Sequence, residues 1–566
     1  MTMNAQTEQG AYDAHLASLT AAKDAWADTS VEERIAVLED VKTCTSKVAE
    51  AWALLAARKK LLPEGSPLAG EEWISGPYAV ISACDALLTT LRGMEGRAFL
   101  RPLPKRYTAT GQLAVGVFPA TLWDRLLLSG LRAEVWMQPG ISEVNLPANT
   151  ASAYGRPAEG KVALVLGAGN IASIAPLDCF HKLFGEHQVV LLKMNPVNDY
   201  LTEVLEAALR PLIDLDALRI VRGDGAAGAY LTDHPLVEEI HITGAEATHD
   251  AIVWGIGDEA ARNKRAGTPK NPRRVTSELG AVCPTIVVPG PWSPEDIRFQ
   301  AAHIATMKLQ NSGFNCIACQ VLVMPSDWPK SERLLAETKQ VISKNDRLPY
   351  YPGAEDRMAD FAAQGNGEAV SRGQAPPLAL MRHAPGYLSD TEVFAPALSV
   401  HEIEGEGADY LAAAIRFANE HLHGTLGANI LIHPETLRAI GKRRFETLIG
   451  ELRYGCIGVN AWSGAGFLTA QVPWGAFPGH TLQDVQSGIG MVHNAYMFDK
   501  AEKSIIRGPW APFPRSVFVG ERTLLPLPPW FITHRRANKV ISRLTAFLVD
   551  RRLWRLPGIF LSALRG

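Results

Sequence analysis

KVALVLGAGNIASIAP, residues 161–176, sets five apolar residues, Val162 to Leu166, ahead of a Gly-Ala-Gly-Asn turn and a second apolar stretch. A short, wholly apolar run bounded by glycines reads as a strand buried on both faces, with a helix to follow. The pattern repeats downstream: QVVLLK at 188–193, a helix expected over Asp199 to Leu212, LRIVRG at 218–223, and VEEIHITG at 237–244 before another helical stretch. Strands of four to six residues alternating with amphipathic helices specify a parallel, doubly wound α/β sheet of Rossmann type, a fold class that accommodates a dinucleotide.

A second α/β set follows. PTIVVPG (284–290), a helix over Asp296 to Leu309, CQVLVMP (319–325), LSVHEI (398–403), ANILIHP (428–434) and YGCIGVN (454–460) carry it to about Gly490. Ahead of both sets, Leu16, Leu19, Ala22 and Trp26, then Ile35, Leu38 and Val41, fall at helical spacing. LAVGVF and EVWM, between Gly111 and Pro147, read as strands of a small β arm. The expected organisation is a helical part over 1–110, a β arm over 111–150, a Rossmann-type domain over 151–277 and a second α/β domain over 278–490. A return strand to the arm over 491–508 and a Pro-rich linker with a tail over 509–566 complete it.

At 566 residues the chain exceeds a single compact core, and 47% hydrophobic with 20% charged residues is ordinary for a globular protein. A formal charge of -3 gives no footing for nucleic acid. The polar start, Met1 to Gly10, has no apolar signal core, and no uncharged apolar stretch reaches spanning length. Seven scattered cysteines do not form a disulfide framework, so reduced thiols and a cytoplasmic setting are expected.

Four segments hold candidate chemistry. NSGFNCIACQ (311–320) presents Cys316 after a glycine turn and before a strand, where it is either a structural thiol or a nucleophile. RVTSELGAVCP (274–284) ends a strand on Glu278, and in VLGAGNIASIAP (165–176) Asn170 stands between strand and helix, where an N-cap is the simplest role. TEVFAPALSV (391–400) sets Glu392 and Phe394 ahead of a strand.

In this order these segments resemble the aldehyde dehydrogenase superfamily from about residue 12 to 507. Asn170 precedes Lys193 by 23 residues, and Asn311, Gly313 and Cys316 fit N-x-G-x-x-C. Further matches are ITGAE (242–246), ANEHLHGTLGANILI (418–432), GCIGVN ending at Asn460, and PWGAFPGHTLQDVQSGIG (473–490). The resemblance implies Cys316 as nucleophile, the Asn170 amide with the Cys316 backbone N–H around the oxyanion, and Glu278 as general base. It assigns Lys193 to the adenosine ribose, Gly244 to the pyrophosphate turn, Glu392 to the nicotinamide ribose and Phe394 to the ring. It also implies NAD or NADP as cofactor, a small-molecule aldehyde as substrate, and a homodimer or homotetramer built through the arm. Transfer of the thioester to coenzyme A and a non-catalytic scaffold are the competing readings; the family's glutamate at position 278 favours hydrolysis.

The match departs from the family at Phe314 (usually glutamine), Ala281 (usually glycine), Pro196 (often acidic) and His249 (often small), and GAGN replaces an aromatic-Asn pair, with Asp178 farther along the helix. Cys316-x-x-Cys319 lacks further ligands at metal spacing, so no metal is expected. In the tail, Val540, Ile541, Leu544, Phe547, Leu548 and Leu553 share a helical face beside seven basic residues. Such a face either packs on the protein itself or a neighbouring subunit, or makes a peripheral contact with an anionic membrane.

Overall fold

The computed structural model describes residues 3–157, 159–382 and 386–566. Two long helices, Met3–Ala27 and Val31–Lys59, open it. The second starts in a capping box, the Ser30 hydroxyl accepting from the Glu33 N–H while the Glu33 carboxylate accepts from the Ser30 N–H. Its inner face, including Leu38, Val41, Trp52 and Ala56, packs on helix Ala79–Arg92.

Strands β1 (Lys105–Tyr107), β2 (Leu113–Phe118) and β3 (Arg132–Met137) pair antiparallel. The first α/β unit then contributes β4 (Val162–Leu166), β5 (Val189–Lys193), β6 (Leu218–Val221), β7 (Glu239–Gly244) and β8 (Arg274–Leu279). All pair parallel in the order β6-β5-β4-β7-β8. Connections run outward from β4 in both directions, so a crevice opens at the carboxyl ends of β4 and β7, where open α/β sheets bind ligands.

The second unit holds β9 (Cys283–Val287), β10 (Cys319–Pro325), β11 (Glu368–Arg372), β12 (Ala375–Arg382), β13 (Ala397–Ile403), β14 (Gly427–Leu431) and β15 (Cys456–Val459). A two-residue pair, β16 (Pro473–Trp474) with β17 (Val492–His493), precedes β18 (Ala501–Arg507). β18 lies parallel to β15 and antiparallel to β3, which fuses the arm strands and the second unit into one sheet of 11 strands. Only Gly280, Ala281 and Val282 separate β8 from β9. The carboxyl edge of the first sheet therefore meets the amino edge of the second, and the site residues gather at that seam.

The tail departs from its sequence reading. The Pro-rich stretch expected as a linker is packed: the Trp510 ring lies 4.8 Å from that of Trp292 and donates its Nε1–H to Asp296, and Phe531 stacks on Phe299. Helix Ala537–Asp550 buries Val540, Ile541 and Phe547 against the amino-terminal helical layer, with Phe547 edge-on to Trp123 at 5.2 Å. Burying three side chains of this size contributes about 1.5–3 kcal/mol each. The protein itself covers most of the face that the sequence offered to a membrane.

Candidate active site

Helix Pro294–Leu309 starts from a Ser293/Asp296 capping box and runs toward the seam. It stops because Asn311, Ser312 and Gly313 all take positive φ, at 52°, 58° and 84°. Consecutive left-handed residues are costly outside glycine and persist only where their surroundings hold them. The holding groups are buried, apart from the half-buried Tyr350. The Asn311 N–H donates to Glu71 at 2.9 Å, and its side-chain oxygen accepts from Lys60 at 3.3 Å and from the Tyr350 hydroxyl at 3.1 Å. A Cβ on Gly313 would stand 3.2 Å from backbone atoms of Lys308 and Ala395, so the turn has no room for a side chain. This bend delivers Cys316, half-buried, to the mouth of β10, where the Cys283 thiol donates to its carbonyl at 3.4 Å.

Asn170, buried beyond the end of β4, donates its side-chain amide to the Phe314 carbonyl at 3.0 Å. Its own carbonyl accepts from Lys60 at 2.8 Å and from Tyr350 at 2.9 Å. The helix that follows, Ile174–Phe180, has Ser173 at its N-cap, so the capping role open to Asn170 in the sequence is not the one it fills. An amide carries two N–H groups, so one remains without a partner among the described residues; the other is held at Phe314, two residues along the chain from Cys316.

Glu278 stands one residue before the end of β8, at the seam. Its carboxyl accepts from the Trp474 indole at 3.2 Å, and the Cys316 thiol is near enough to influence its charge. Burial, and next the negative charge of Asp178, push its pKa up to about 8. Burial, and next Glu278, hold the Cys316 thiol well above the usual range. Next to Glu278 the sheet face is polar although buried. Register pairs His241 with Thr276 and Thr243 with Glu278; His241 contacts Thr276 at 2.9 Å and the Thr243 hydroxyl donates to Asp178 at 2.8 Å.

The residues expected at the cofactor lie at two strand ends of the first sheet and in the segment ahead of β13. Lys193 closes β5, its ammonium within the fields of Asp224 and Asp199 and without a hydrogen bond among the described residues; burial, the larger influence, lowers its pKa. Gly244 closes β7, and helix Glu246–Trp254 follows with no side-chain cap on its first N–H groups, which leaves them for an anion. Glu246 would oppose that anion, but it pairs with His423 at 3.0 Å and raises the imidazole pKa. Glu392 is buried with its pKa pushed up to about 8, and one of its oxygens has no hydrogen-bond partner. A Cβ on Gly280 would collide with that carboxylate, which explains a glycine at the β8–β9 turn. Phe394 packs on Tyr351 at 5.1 Å and on Phe314 at 5.7 Å. Phe314, the departure from the family's glutamine, is thus a fully buried member of an aromatic cluster. The orphaned Glu392 oxygen, the unpaired Lys193 ammonium and the uncapped helix suit a dinucleotide. Among the described residues no cluster of His, Cys, Asp or Glu is arranged for a metal, and Cys316 and Cys319 are free thiols.

Sequence reasoning missed Lys60, Tyr350 and Trp474. Trp474 stands inside the PWGAF match, and an indole in a motif next to a carboxylate-bearing strand was the available signal; Lys60 and Tyr350 carry none in their local sequence.

No protein-family model matches the chain. Solved structures do. The NAD-dependent aldehyde dehydrogenase from Sinorhizobium meliloti is 17% identical, covering 87% of this chain and 85% of that one at a TM-score of 0.56. The aldehyde dehydrogenase KauB from Pseudomonas aeruginosa is 16% identical over 88% of each chain, at a TM-score of 0.59. A Mycobacterium tuberculosis aldehyde dehydrogenase complexed with NAD+ is 16% identical over 87% and 89%, at 0.58. The chain has the aldehyde dehydrogenase fold.

Proposed function

We propose that this protein is a member of the aldehyde dehydrogenase superfamily that oxidises an aldehyde to the free carboxylic acid with NAD or NADP. The observation that carries this reading is the convergence of the Cys316 thiol, the Glu278 carboxyl and the Asn170 amide at one seam, from segments far apart in sequence.

In this reading Glu278 accepts the proton of the Cys316 thiol, and the sulfur adds to the carbonyl carbon. The second N–H of Asn170 and the Cys316 backbone N–H hold the resulting oxyanion, an arrangement worth about 3 kcal/mol per donor. Lys193 and Glu392 would hold the two riboses, the first turn after Gly244 the pyrophosphate, and Phe394 would pack near the ring; what a bound nicotinamide supplies is an acceptor for hydride. Glu278 gives up the thiol proton to solvent. With a thioester on Cys316 it then takes a proton from water, the hydroxide adds to the thioester carbon, and the carbon–sulfur bond breaks as the acid departs. The proton returns from Glu278 to the cysteine sulfur. Assembly as a homodimer or homotetramer through the arm over 111–150 with the late strand Ser504 to Arg507, and a reducing cytoplasmic setting for the seven thiols, belong to the same proposal.

An aldehyde panel with NAD+ and NADP+, with and without coenzyme A, tests it by appearance of reduced cofactor. The expected result is turnover without coenzyme A that is lost in Cys316→Ser. Strict dependence on coenzyme A would replace hydrolysis by acyl transfer, and equal turnover by Cys316→Ser would remove the nucleophile.

A further inference from the structure

With the inner face of helix Ala537–Asp550 taken up, the tail still presents a second apolar strip, facing outward. It runs along the 3₁₀ turn Leu553–Arg555 and helix Leu556–Ala563. Leu553, Trp554, Leu561 and Leu564 are 56–66% exposed, with Pro557 exposed between them. Their spacing (553, 557, 561, 564) follows one helical face. The opposite face, Ile559 and Ser562, is buried, and Arg543 ties this helix to its neighbour through the Gly558 carbonyl and the Ser562 hydroxyl.

Positive charge brackets the strip. Arg552, paired with Asp550 at 3.4 Å, adjoins one end; at the other, Arg565 precedes Gly566, which lies against His534, the neighbour in sequence of Arg535 and Arg536. Arg535, Arg536, Lys539 and Arg565 have no carboxylate partner among the described residues. Residues 509–566 carry ten Lys and Arg against Glu521 and Asp550, in a chain whose net charge is -3.

We propose that this strip docks the protein peripherally on an anionic lipid surface, with Trp554 and the leucines at the headgroup–acyl boundary and the flanking arginines on lipid phosphates. Leucine and tryptophan edged by arginine is the composition of an interfacial helix. A second copy of the chain fits less well. An isologous contact would set the same arginines against each other, and one strip of four large side chains falls far short of the roughly 800 Å² per partner of a standard interface. The contact is one of lying on the membrane. Among the described residues, the helical stretch long and apolar enough to cross one, Pro67–Arg92, is 78% buried over its most apolar window and belongs to the core.

The test is cosedimentation of the full-length protein with vesicles of phosphatidylcholine alone and of phosphatidylcholine with about one-third phosphatidylglycerol. Binding to the anionic vesicles should exceed binding to neutral ones by at least about tenfold and fall as salt rises. The triple variant Leu553→Glu, Trp554→Glu, Leu561→Glu should lose it, while turnover of a soluble aldehyde and the thermal midpoint stay at wild-type values. Failure to bind anionic vesicles overturns the proposal. So does a triple variant that still binds them, or one that loses only a sedimentation-defined oligomer, which would make the strip an interface between copies. Loss of aldehyde turnover in the wild type would count against the enzymatic reading and leave this one standing.

Discussion

Glu278 and Glu392 are two buried carboxyls at one seam, both with pKa values pushed up to about 8 chiefly by burial, yet they are furnished differently. Glu278 accepts from an indole and has the Cys316 thiol as an electrostatic neighbour. Glu392 lies against the Gly280 backbone, feels the positive charges of Lys308 and Arg357, and keeps one oxygen without a partner. Burial sets when each group titrates; its neighbours set what it is for. A carboxyl beside a nucleophile is placed to move protons, whereas one with an orphaned oxygen is placed to accept a hydrogen bond from a ligand.

The largest effects should separate the two. Glu278→Gln keeps the shape and the indole contact but cannot take a proton, so kcat should fall by about 10²–10⁴ with little change in the KM for cofactor. Glu392→Gln should raise the KM for NAD or NADP by about tenfold, the scale of one lost hydrogen bond to a charged group, with a smaller change in kcat. Steady-state kinetics with both substrates varied reads the split; if the two variants move the same parameter, the distinction drawn here is wrong. Asn170→Ala should lower kcat by about 10²–10³ without altering aldehyde binding, since its free N–H meets charge only during reaction.

The pH dependence follows from the direction of the shifts. Glu278 is mostly protonated below about 8, so activity limited by its base form should rise with pH through about 8 and level off above. Stability runs the other way. A carboxyl whose pKa is higher folded than unfolded keeps its proton longer in the native state, so folding loses ground as pH climbs from the unfolded value of 4.5 to about 8. The buried histidines His303 and His493, with pKa values lowered to about 3 and about 4, act oppositely, but only below their unfolded 6.5. Between about pH 7 and 8 the carboxyls should therefore dominate. Thermal midpoints of the protein without cofactor should fall across that interval, and the fall should be smaller in Glu278→Gln, which has no carboxyl to titrate.

Much of the fold was legible because its strands are buried on both faces and appear as unbroken apolar runs; β4 and β5 have every residue buried. Cys316, Glu278 and Asn170 could be singled out because each sits near the end of a strand, within a spaced motif. What supports them could not. Lys60 reaches Asn170 across 110 positions and Asn311 across 251, and Trp474 reaches Glu278 across 196, so no local pattern marks those side chains as site residues. The tail shows the same limit. Its 3.6-residue periodicity announced an apolar face, but which surface covers that face is a tertiary fact, settled by the close approach of Gly70 to Ala537 and by Trp123.

The smallest expected effect bears on how Glu278 is held. The Trp474 indole donates to the charged form of the carboxyl and so opposes part of what burial does to it. Trp474→Phe keeps an aromatic ring against Phe467 but removes the N–H, so the midpoint of the pH–rate profile should move to higher pH. On the alkaline plateau, where Glu278 is ionised with or without the indole, kcat should fall only a few-fold. A purely structural tryptophan would lower activity evenly at all pH values and leave the midpoint in place. A profile unchanged in position would mean that the indole packs beside Glu278 without tuning it, and the contrast with Glu392 would then rest on the thiol alone.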